Sequence, residues 1–468
     1  MLLHNKYGDF MAYNPRELSD FAYYYGFHFF ICKPGVLIKD FRLNLERGLR
    51  GEKSSMPMIP SFLSPAAEIP PGKKVLALDA GGTNLRAALV RFDAAGKAQA
   101  ENIRKQPMPG TRGTVGREAF FDQIADIAAP ILEAHHDIEG IGFCFSYPME
   151  ITAAGDGILL SLGKEVDAPE VIGAAIGEGL REALFRRGLR YSGRIVLLND
   201  TASTLLCGLL SIPATFGIEG EDRWGVSGAP VIGFILGTGF NTAYPETHIP
   251  KINYNAPDKP QIVVAESGSF AFRYRGILDV EYDATTKNPN SYTTEKVLAG
   301  VYLGPLSLHI LKRAIKDGVL SFRRQDELLA WPTLETKDLD TFMHFPLAKE
   351  GMIAALFDDD ERDALASFAY LVSIVTRRGA LVAASVLAGT AEHIAERVSP
   401  YSFAPVRIAV EGTTFLRYKG MRQALESYLF GMLSWEKPVP YVMVPVENAS
   451  LNGAAVAALC KSEPGGRP

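Results

Sequence analysis

At 468 residues the chain is longer than one hydrophobic core usually serves, so two domains with a cleft between them are expected. Its 47% hydrophobic and 22% charged residues, with a mean hydropathy of +0.05, exclude a disordered or fibrous chain. A net charge of −5 and a pI near 6.0 give no basic footprint for nucleic acid or an anionic membrane, which points to small-molecule partners.

Residues 1 to 35 are rich in aromatic side chains and show no clear period. Phe21 to Cys32 is apolar, but it is too short to span a membrane and lacks the form of a signal peptide, so it reads as a packing segment. Leu37, Phe41, Leu45 and Leu49 recur every fourth residue and predict an amphipathic helix ending near Gly51. Ser54 to Pro65, with three prolines, predicts a crossover.

From Val75 to Val90, two β-favouring runs flank Asp79-Ala80-Gly81-Gly82-Thr83-Asn84, the pattern of a strand, a tight turn and a returning strand. Glycines let backbone amides crowd around an anion and form, with the Thr83 hydroxyl, a phosphate cradle. Asp79, ending the first strand, suits a magnesium ion. An ordinary hairpin in which Asn and Gly serve turn geometry is the alternative. Because the stretch returns as a strand, it is neither a Rossmann nor a P-loop fingerprint.

Phe120 to His135 is predicted helical, and Ile138 to Phe145 is a strand that delivers Ser146-Tyr147-Pro148 at its end. Gly155 to Lys164 reads as a loop, Glu170 to Arg187 as a helix closed by Gly188, and Arg194 to Leu198 as a strand ending in Asn199-Asp200 before a helix from Thr201. Pro230 to Leu236, Gly237-Thr238-Gly239-Phe240-Asn241 and the return through Thr242 to Tyr244 echo the first hairpin, so two similarly built halves facing one cleft are expected.

Ile262 to Glu266 is a strand running into Ser267. Thr294 to about Lys316 is helical, with a break near Gly300, Gly304 or Pro305. Asp360 to Arg397 makes one or two long helices in which Gly379 and Gly389 allow close packing. Val406 to Val410 is a strand closing in Glu411-Gly412-Thr413-Thr414, residues 439 to 446 are the last strand, and Ser450 to Lys461 the last helix. The four cysteines lie far apart without metal-type spacing and read as reduced and buried, hence a cytoplasmic protein.

In order and spacing these motifs resemble the hexokinase family, including its glucokinase members, from about Phe41 to Leu459. Leu78 to Arg86 is similar to that family's first phosphate motif, Gly142 to Pro148 to its sugar-loop entry, and Gly157 to Lys164 to the segment after it. Leu198-Asn199-Asp200-Thr201 resembles the catalytic Asn-Asp-Thr, and Gly237 to Asn241 the second phosphate motif. Asn288-Pro289-Asn290, Glu295-Lys296 and Gly300 to Gly304 resemble the Asn-Pro-Gly, Glu-Lys and Gly-x-Tyr-Leu-Gly run. Val410 to Thr414 is similar to the adenosine motif, and Ser450 to Ala455 to the closing small-residue motif.

The resemblance implies an α/β, two-domain actin-like ATPase (ribonuclease-H-like) fold with an interdomain active-site cleft. It places the small domain at 66–198 plus 448–468 and the large one at 1–65 plus 199–447. It also implies transfer of the γ-phosphoryl group of Mg-ATP to the 6-hydroxyl of a hexose, glucose first, as the opening step of glycolysis, by a monomer or homodimer.

On the same resemblance Asp200 is the general base. Ser146, Lys164, Asn199, Asn241, Glu266 and Glu295 supply the mixed donors and acceptors that a neutral polyol needs. Gly81, Gly82, Thr83, Asn84, Arg86, Gly237 and Thr238 face the phosphates, with Asp79 on magnesium through water. Gly412, Thr413 and Thr414 border the nucleoside, and Ser450 completes the nucleotide set. Departures are Gly163 for the family's Thr, Ser267 for its Trp, Asn290 for the Gly of Asn-Pro-Gly with Ser291 after it, and Leu451 and Asn452 in the closing motif. Each lost hydrogen bond to sugar costs about 0.5–1.5 kcal/mol, so a catalytically weak sugar sensor of the same fold is the second reading. An actin-like or chaperone-type ATPase acting on proteins needs neither the Asn-Asp-Thr nor the Glu-Lys segment.

Overall fold

The four-residue apolar period from Leu37 to Leu49 folds as a helix whose Leu37, Phe41, Leu45 and Leu49 are all buried, and Gly51 closes it in the left-handed conformation with φ +71°. The computed structural model describes residues 13–65, 69, 71–94, 96–163, 166–210, 229–398, 405–434 and 438–460.

In chain order the first elements are α1 (Pro15–Tyr24), α2 (Pro34–Arg50), β1 (Ile59–Pro60), β2 (Lys74–Gly81), β3 (Asn84–Phe92), β4 (Ala98–Pro107) and α3 (Arg117–Ala134). Then come β5 (Ile138–Phe145), β6 (Met149–Ile151), β7 (Gly157–Leu159), α4 (Ile176–Arg186), β8 (Arg194–Leu198) and α5 (Asp200–Leu209). The middle of the chain forms β9 (Val231–Leu236), β10 (Phe240–Glu246), β11 (His248–Ile249), β12 (Tyr254–Asn255), β13 (Gln261–Val264), α6 (Ile277–Ala284), α7 (Gly300–Lys316), α8 (Gln325–Ala330) and α9 (Thr336–His344). The last elements are α10 (Arg362–His393), β14 (Val406–Glu411), α11 (Thr413–Leu416), α12 (Met421–Leu433), β15 (Tyr441–Pro445) and α13 (Ala449–Leu459).

Two sheets share one plan. The first has the order β4-β3-β2-β5-β8, the second β1-β13-β10-β9-β14-β15. In each, an antiparallel hairpin (β2/β3, β9/β10) gains a third antiparallel strand on one side and two parallel crossover strands on the other. The two halves foreseen from the paired Gly-Thr hairpins are therefore present, with β1 as an added edge strand on the second sheet.

Helices α5 and α13 pack between the sheets, sharing one apolar cluster with Val75, Ala77, Cys144, Val196 and Ala409. Small residues set that distance: a Cβ on Gly142 of β5 would lie 1.8 Å from the Ala454 carbonyl oxygen, and one on Gly453 would lie 1.9 Å from that of Ser203. The outer face of the first sheet is covered by α3 and α4 through residues such as Phe120, Phe121 and Leu180. The outer core of the second is built around α10, where Gly379 lets Leu298 approach and Gly389 lets Phe41 approach. α10 and the turn after it are long and apolar enough to cross a membrane, but 89% of the apolar window is buried inside the protein. Phe21, Phe27, Phe29 and Cys32 are buried in the same core, so the aromatic N-terminal segment is a packing element. All four cysteines are buried and none forms a disulfide.

Four local expectations change. The helix read over 170–187 is a short 3-10 turn at Pro169–Val171 followed by α4, because Gly173 turns the chain at φ +84° and the Asp156 carboxylate caps the later start by accepting from Gly177 N and Glu178 N at 2.7 and 3.0 Å. The break expected around 300–305 falls before Gly300, after a 3-10 turn at Glu295–Val297. Pro305 stays inside α7, and Val301, whose carbonyl loses its partner, is half exposed. The loop read over 155–164 contains β7, paired with β6, and the crossover over 54–65 contains β1, paired with β13.

Candidate active site

Leu198 ends β8 and Asp200 begins α5, with Asn199 as the N-cap: its Oδ1 accepts from Thr201 N at 2.7 Å and Ala202 N at 3.2 Å. The capping task thus falls on Asn199 and leaves the Asp200 carboxylate to the cleft, where it accepts from the Thr201 hydroxyl at 3.1 Å. Asp200 lines two adjoining cavities, one of about 460 Å³ and one of about 500 Å³. Ser146, held at the end of β5 by its N–H to the Ala80 carbonyl, borders both as well.

The first cavity gathers Ser146, Asn199, Asp200, Asn241, Glu266 and Glu295. Asn241 organises its floor: Nδ2 donates to Glu266 Oε1 at 2.8 Å, while Oδ1 accepts from Thr242 N and Ser267 N at 2.8 and 3.1 Å. Glu295 is fixed by the Phe240 N–H, 3.0 Å from its Oε2. Burial pushes the Glu266 carboxyl up to about 7, opposed by the Asn241 hydrogen bond and reinforced by Asp200 and Glu295. Burial likewise raises Asp200, with a further contribution from Asp79, and raises Glu295. Ser267, which stands where the resembled family has Trp, is buried and bonded to the Thr242 hydroxyl.

The second cavity gathers Asp79, Gly81, Asn84, Arg86, Gly237, Thr238, Gly412, Thr413 and Ser450. Gly412 has φ +118°, and a Cβ there would lie 2.3 Å from the Leu236 carbonyl, so only glycine lets the β14 loop meet the β9 loop. Thr414 bonds the Gly237 carbonyl at 2.7 Å and faces a third cavity of about 690 Å³, which adjoins the second through Thr238 and Thr413. Gly82, at φ +56°, and Thr83 form the exposed hairpin tip beyond the cavity lining, tied back by Tyr147 Oη to the Gly82 carbonyl at 2.6 Å. Lys164 lies outside the described residues.

Glu411, Lys105 and Tyr292 are lining residues that were given no site role from the sequence. Glu411 ends β14 in the second cavity; its Oε2 accepts from the Thr204 hydroxyl at 3.0 Å, and burial raises its pKa, with Asp200 and Asp79 adding to the rise. Lys105 of β4 lies opposite Arg86 in the strand register and lines the same cavity. Tyr292 lines the first cavity from a left-handed backbone, φ +55°. Only Glu411 carried a signal, an acid directly before the strand-end glycine; the other two reach the site through contacts that no local pattern encodes.

Two sequence models described as hexokinase match the chain, over residues 36–209 and 231–460. Hexokinase-1 of Schizosaccharomyces pombe is 28% identical over 441 residues, covering 90% of this chain and 86% of that protein. Hexokinase-1 of Saccharomyces cerevisiae is 26% identical over 481 residues, covering 96% and 93%. The solved Schistosoma mansoni hexokinase complexed with glucose superposes with a TM-score of 0.73 at 22% identity, covering 95% of this chain and 99% of that one, so the fold is the two-domain actin-like ATPase fold. With the two models covering most of the chain and the relatives nearly all of it, the protein belongs to the hexokinase family of hexose phosphotransferases.

Proposed function

We propose that the protein transfers the γ-phosphoryl group of ATP to the 6-hydroxyl of glucose or a close relative, with Asp200 as general base. The observation that carries this reading is the position of Asp200 on both the polyol-suited cavity and the glycine-lined anion cavity. A hydroxyl held by Asn199, Asn241, Glu266 and Glu295 would present its proton to Asp200 and its oxygen toward the second cavity. The raised pKa of Asp200, caused by burial, makes it a better proton acceptor than an exposed aspartate. Phosphoryl transfer through a loose transition state asks the protein chiefly to position the in-line attack and to stabilise charge. Thr238, Gly412 and Thr413 would provide backbone donors for that, and Arg86 and Lys105 positive charge, while the Gly237 N–H is held by the Gly239 carbonyl at 3.0 Å.

The donor set suits magnesium bound with the nucleotide. Among the described residues no group of three or more His, Cys, Asp or Glu side chains forms a protein cage. Asp79, Asp200 and Glu411 instead face a cavity open to water and phosphate, which suits an ion held largely by water and phosphate oxygens. Asp79 would hold it through water, and bound there it would neutralise phosphate charge.

We place the small domain at 66–198 plus 448–468 and the large one at 1–65 plus 199–447, a division supported by the separate outer cores of the two sheets. Four buried cysteines outside any disulfide support a reducing, cytoplasmic setting, where such an enzyme would open glycolysis. The test is ADP release from Mg-ATP across glucose, fructose, mannose, glucosamine and N-acetylglucosamine. Sugar-dependent release supports the enzyme; hexose binding without release would favour the sensor reading.

A further inference from the structure

Tyr292 stands at the wall of the first cavity beside Asn241, Glu266 and Glu295, about 40% exposed, and its hydroxyl has no hydrogen-bonding partner among the described residues. Its backbone is left-handed, φ +55°, a conformation that a bulky aromatic residue rarely adopts and that persists only where the surroundings impose it. Here they do, from both sides. On the N-terminal side, buried Asp283 accepts from Asn290 N at 2.8 Å and is paired with Arg275 and Lys296; Lys296 Nζ also donates to Thr286 Oγ1 at 2.8 Å and the Asn288 carbonyl at 2.6 Å. On the C-terminal side, the Thr293 and Thr294 hydroxyls donate to the Phe270 carbonyl at 3.1 and 2.7 Å. Tyr292 thus sits on a clamped loop and brings an unpartnered phenol to the wall of the cavity that holds the polyol-suited carboxylates.

A pyranose has polar edges and an apolar face of C–H groups, so a ring beside a carboxylate floor complements it, and a tyrosine adds a donor at its tip. We propose that Tyr292 is a specificity-determining residue: its ring covers one face of the bound hexose, its hydroxyl meets a sugar hydroxyl, and together they disfavour sugars with bulky ring substituents. This rests on reading the first cavity as the hexose site. Burial and the neighbouring Glu266 and Glu295 raise the Tyr292 pKa, so the phenol stays protonated and able to donate.

The test compares wild type, Tyr292→Phe and Tyr292→Asn in hexose binding by calorimetry and in kcat and KM for glucose, mannose, glucosamine and N-acetylglucosamine, with Tm as a control. Asn tolerates left-handed backbone, so Tm should not fall, whereas a purely structural tyrosine would lower it. For Tyr292→Asn, the expected result is a rise of about fivefold or more in Kd and KM for the best hexose, with kcat changing far less and the preference over N-acetylglucosamine narrowed. Tyr292→Phe should give a smaller rise. A Kd, KM and preference all within about twofold of an active wild type in Tyr292→Asn would overturn the role of Tyr292 alone. Wild type that neither binds nor phosphorylates any of these sugars would overturn the reading of the site, and the role of Tyr292 with it.

Discussion

Asp79 and Arg86 lie directly opposite each other across the β2–β3 hairpin, and the arginine Nε and Nη2 sit 2.7 and 2.6 Å from Asp79 Oδ2. Nη2 also donates to Ser450 Oγ at 2.7 Å, so one guanidinium joins the hairpin to the start of α13. Arg86→Ala would leave Asp79 without its cation and remove a positive charge from the cavity proposed to hold the phosphates. A charge-assisted hydrogen bond is worth about 1.5–3 kcal/mol, so KM for Mg-ATP should rise by roughly tenfold or more. Hexose affinity, measured by calorimetry without nucleotide, should stay close to wild type.

Glu266 carries a pH dependence with a definite sign. Its carboxyl is raised from an ordinary 4.5 to about 7, so in this window the folded protein holds a proton that the unfolded chain releases. The stabilising contribution is full below about pH 4.5 and is lost as pH rises toward 7. Glu266→Gln should therefore unfold at a higher temperature than wild type at pH 8, with the gain shrinking toward pH 5. Sugar binding should show the opposite trend, because the ionised carboxylate is the better acceptor: wild-type KM should fall from pH 6 to pH 8. In Glu266→Gln the slope should be shallower and kcat/KM lower by about 10-fold to 100-fold, as measured in parallel pH profiles.

Gly453 and Gly142 test the packing that joins the two sheets. An added Cβ at either would overlap a backbone carbonyl oxygen, at 1.9 Å from Ser203 and 1.8 Å from Ala454, and neither carbonyl can rotate away as a side chain would. Gly453→Ala should lower Tm by roughly 5–10 °C in a thermal melt, the range expected from overpacking of a few kcal/mol.

Removal of divalent cation separates the two cavities. On the proposed reading, chelation should abolish ADP release, because the ion would neutralise phosphate charge in the second cavity, while hexose affinity by calorimetry should persist, because Asn241, Glu266 and Glu295 would bind without it.

The local elements were legible where period or turn chemistry is self-sufficient. The four-residue period of α2, the strand read from Ile138 to Phe145 and the Gly-Thr hairpins all appear where the sequence placed them. Asp200 was legible as a strand-end acid, and the N-cap of the helix that follows is Asn199. What could not be read depends on pairing across long sequence distances. Glu411 reaches the neighbourhood of Asp200 because β14 pairs in parallel with β9, and Lys105 joins Arg86 only through the β3–β4 register, from a strand whose exposed polar residues show no strong alternation. Tyr292 enters the cavity through a backbone conformation imposed by Asp283, Lys296 and Phe270, which no propensity of tyrosine would suggest.

The general-base assignment is tested most directly by Asp200→Asn, read out as sugar-dependent ADP release alongside calorimetric binding of the hexose and of Mg-ATP. Asn keeps the side-chain shape but cannot take the hydroxyl proton. Turnover should drop by at least about 10²-fold while both ligands still bind. Turnover near the wild-type level, with both ligands bound, would contradict the role of Asp200.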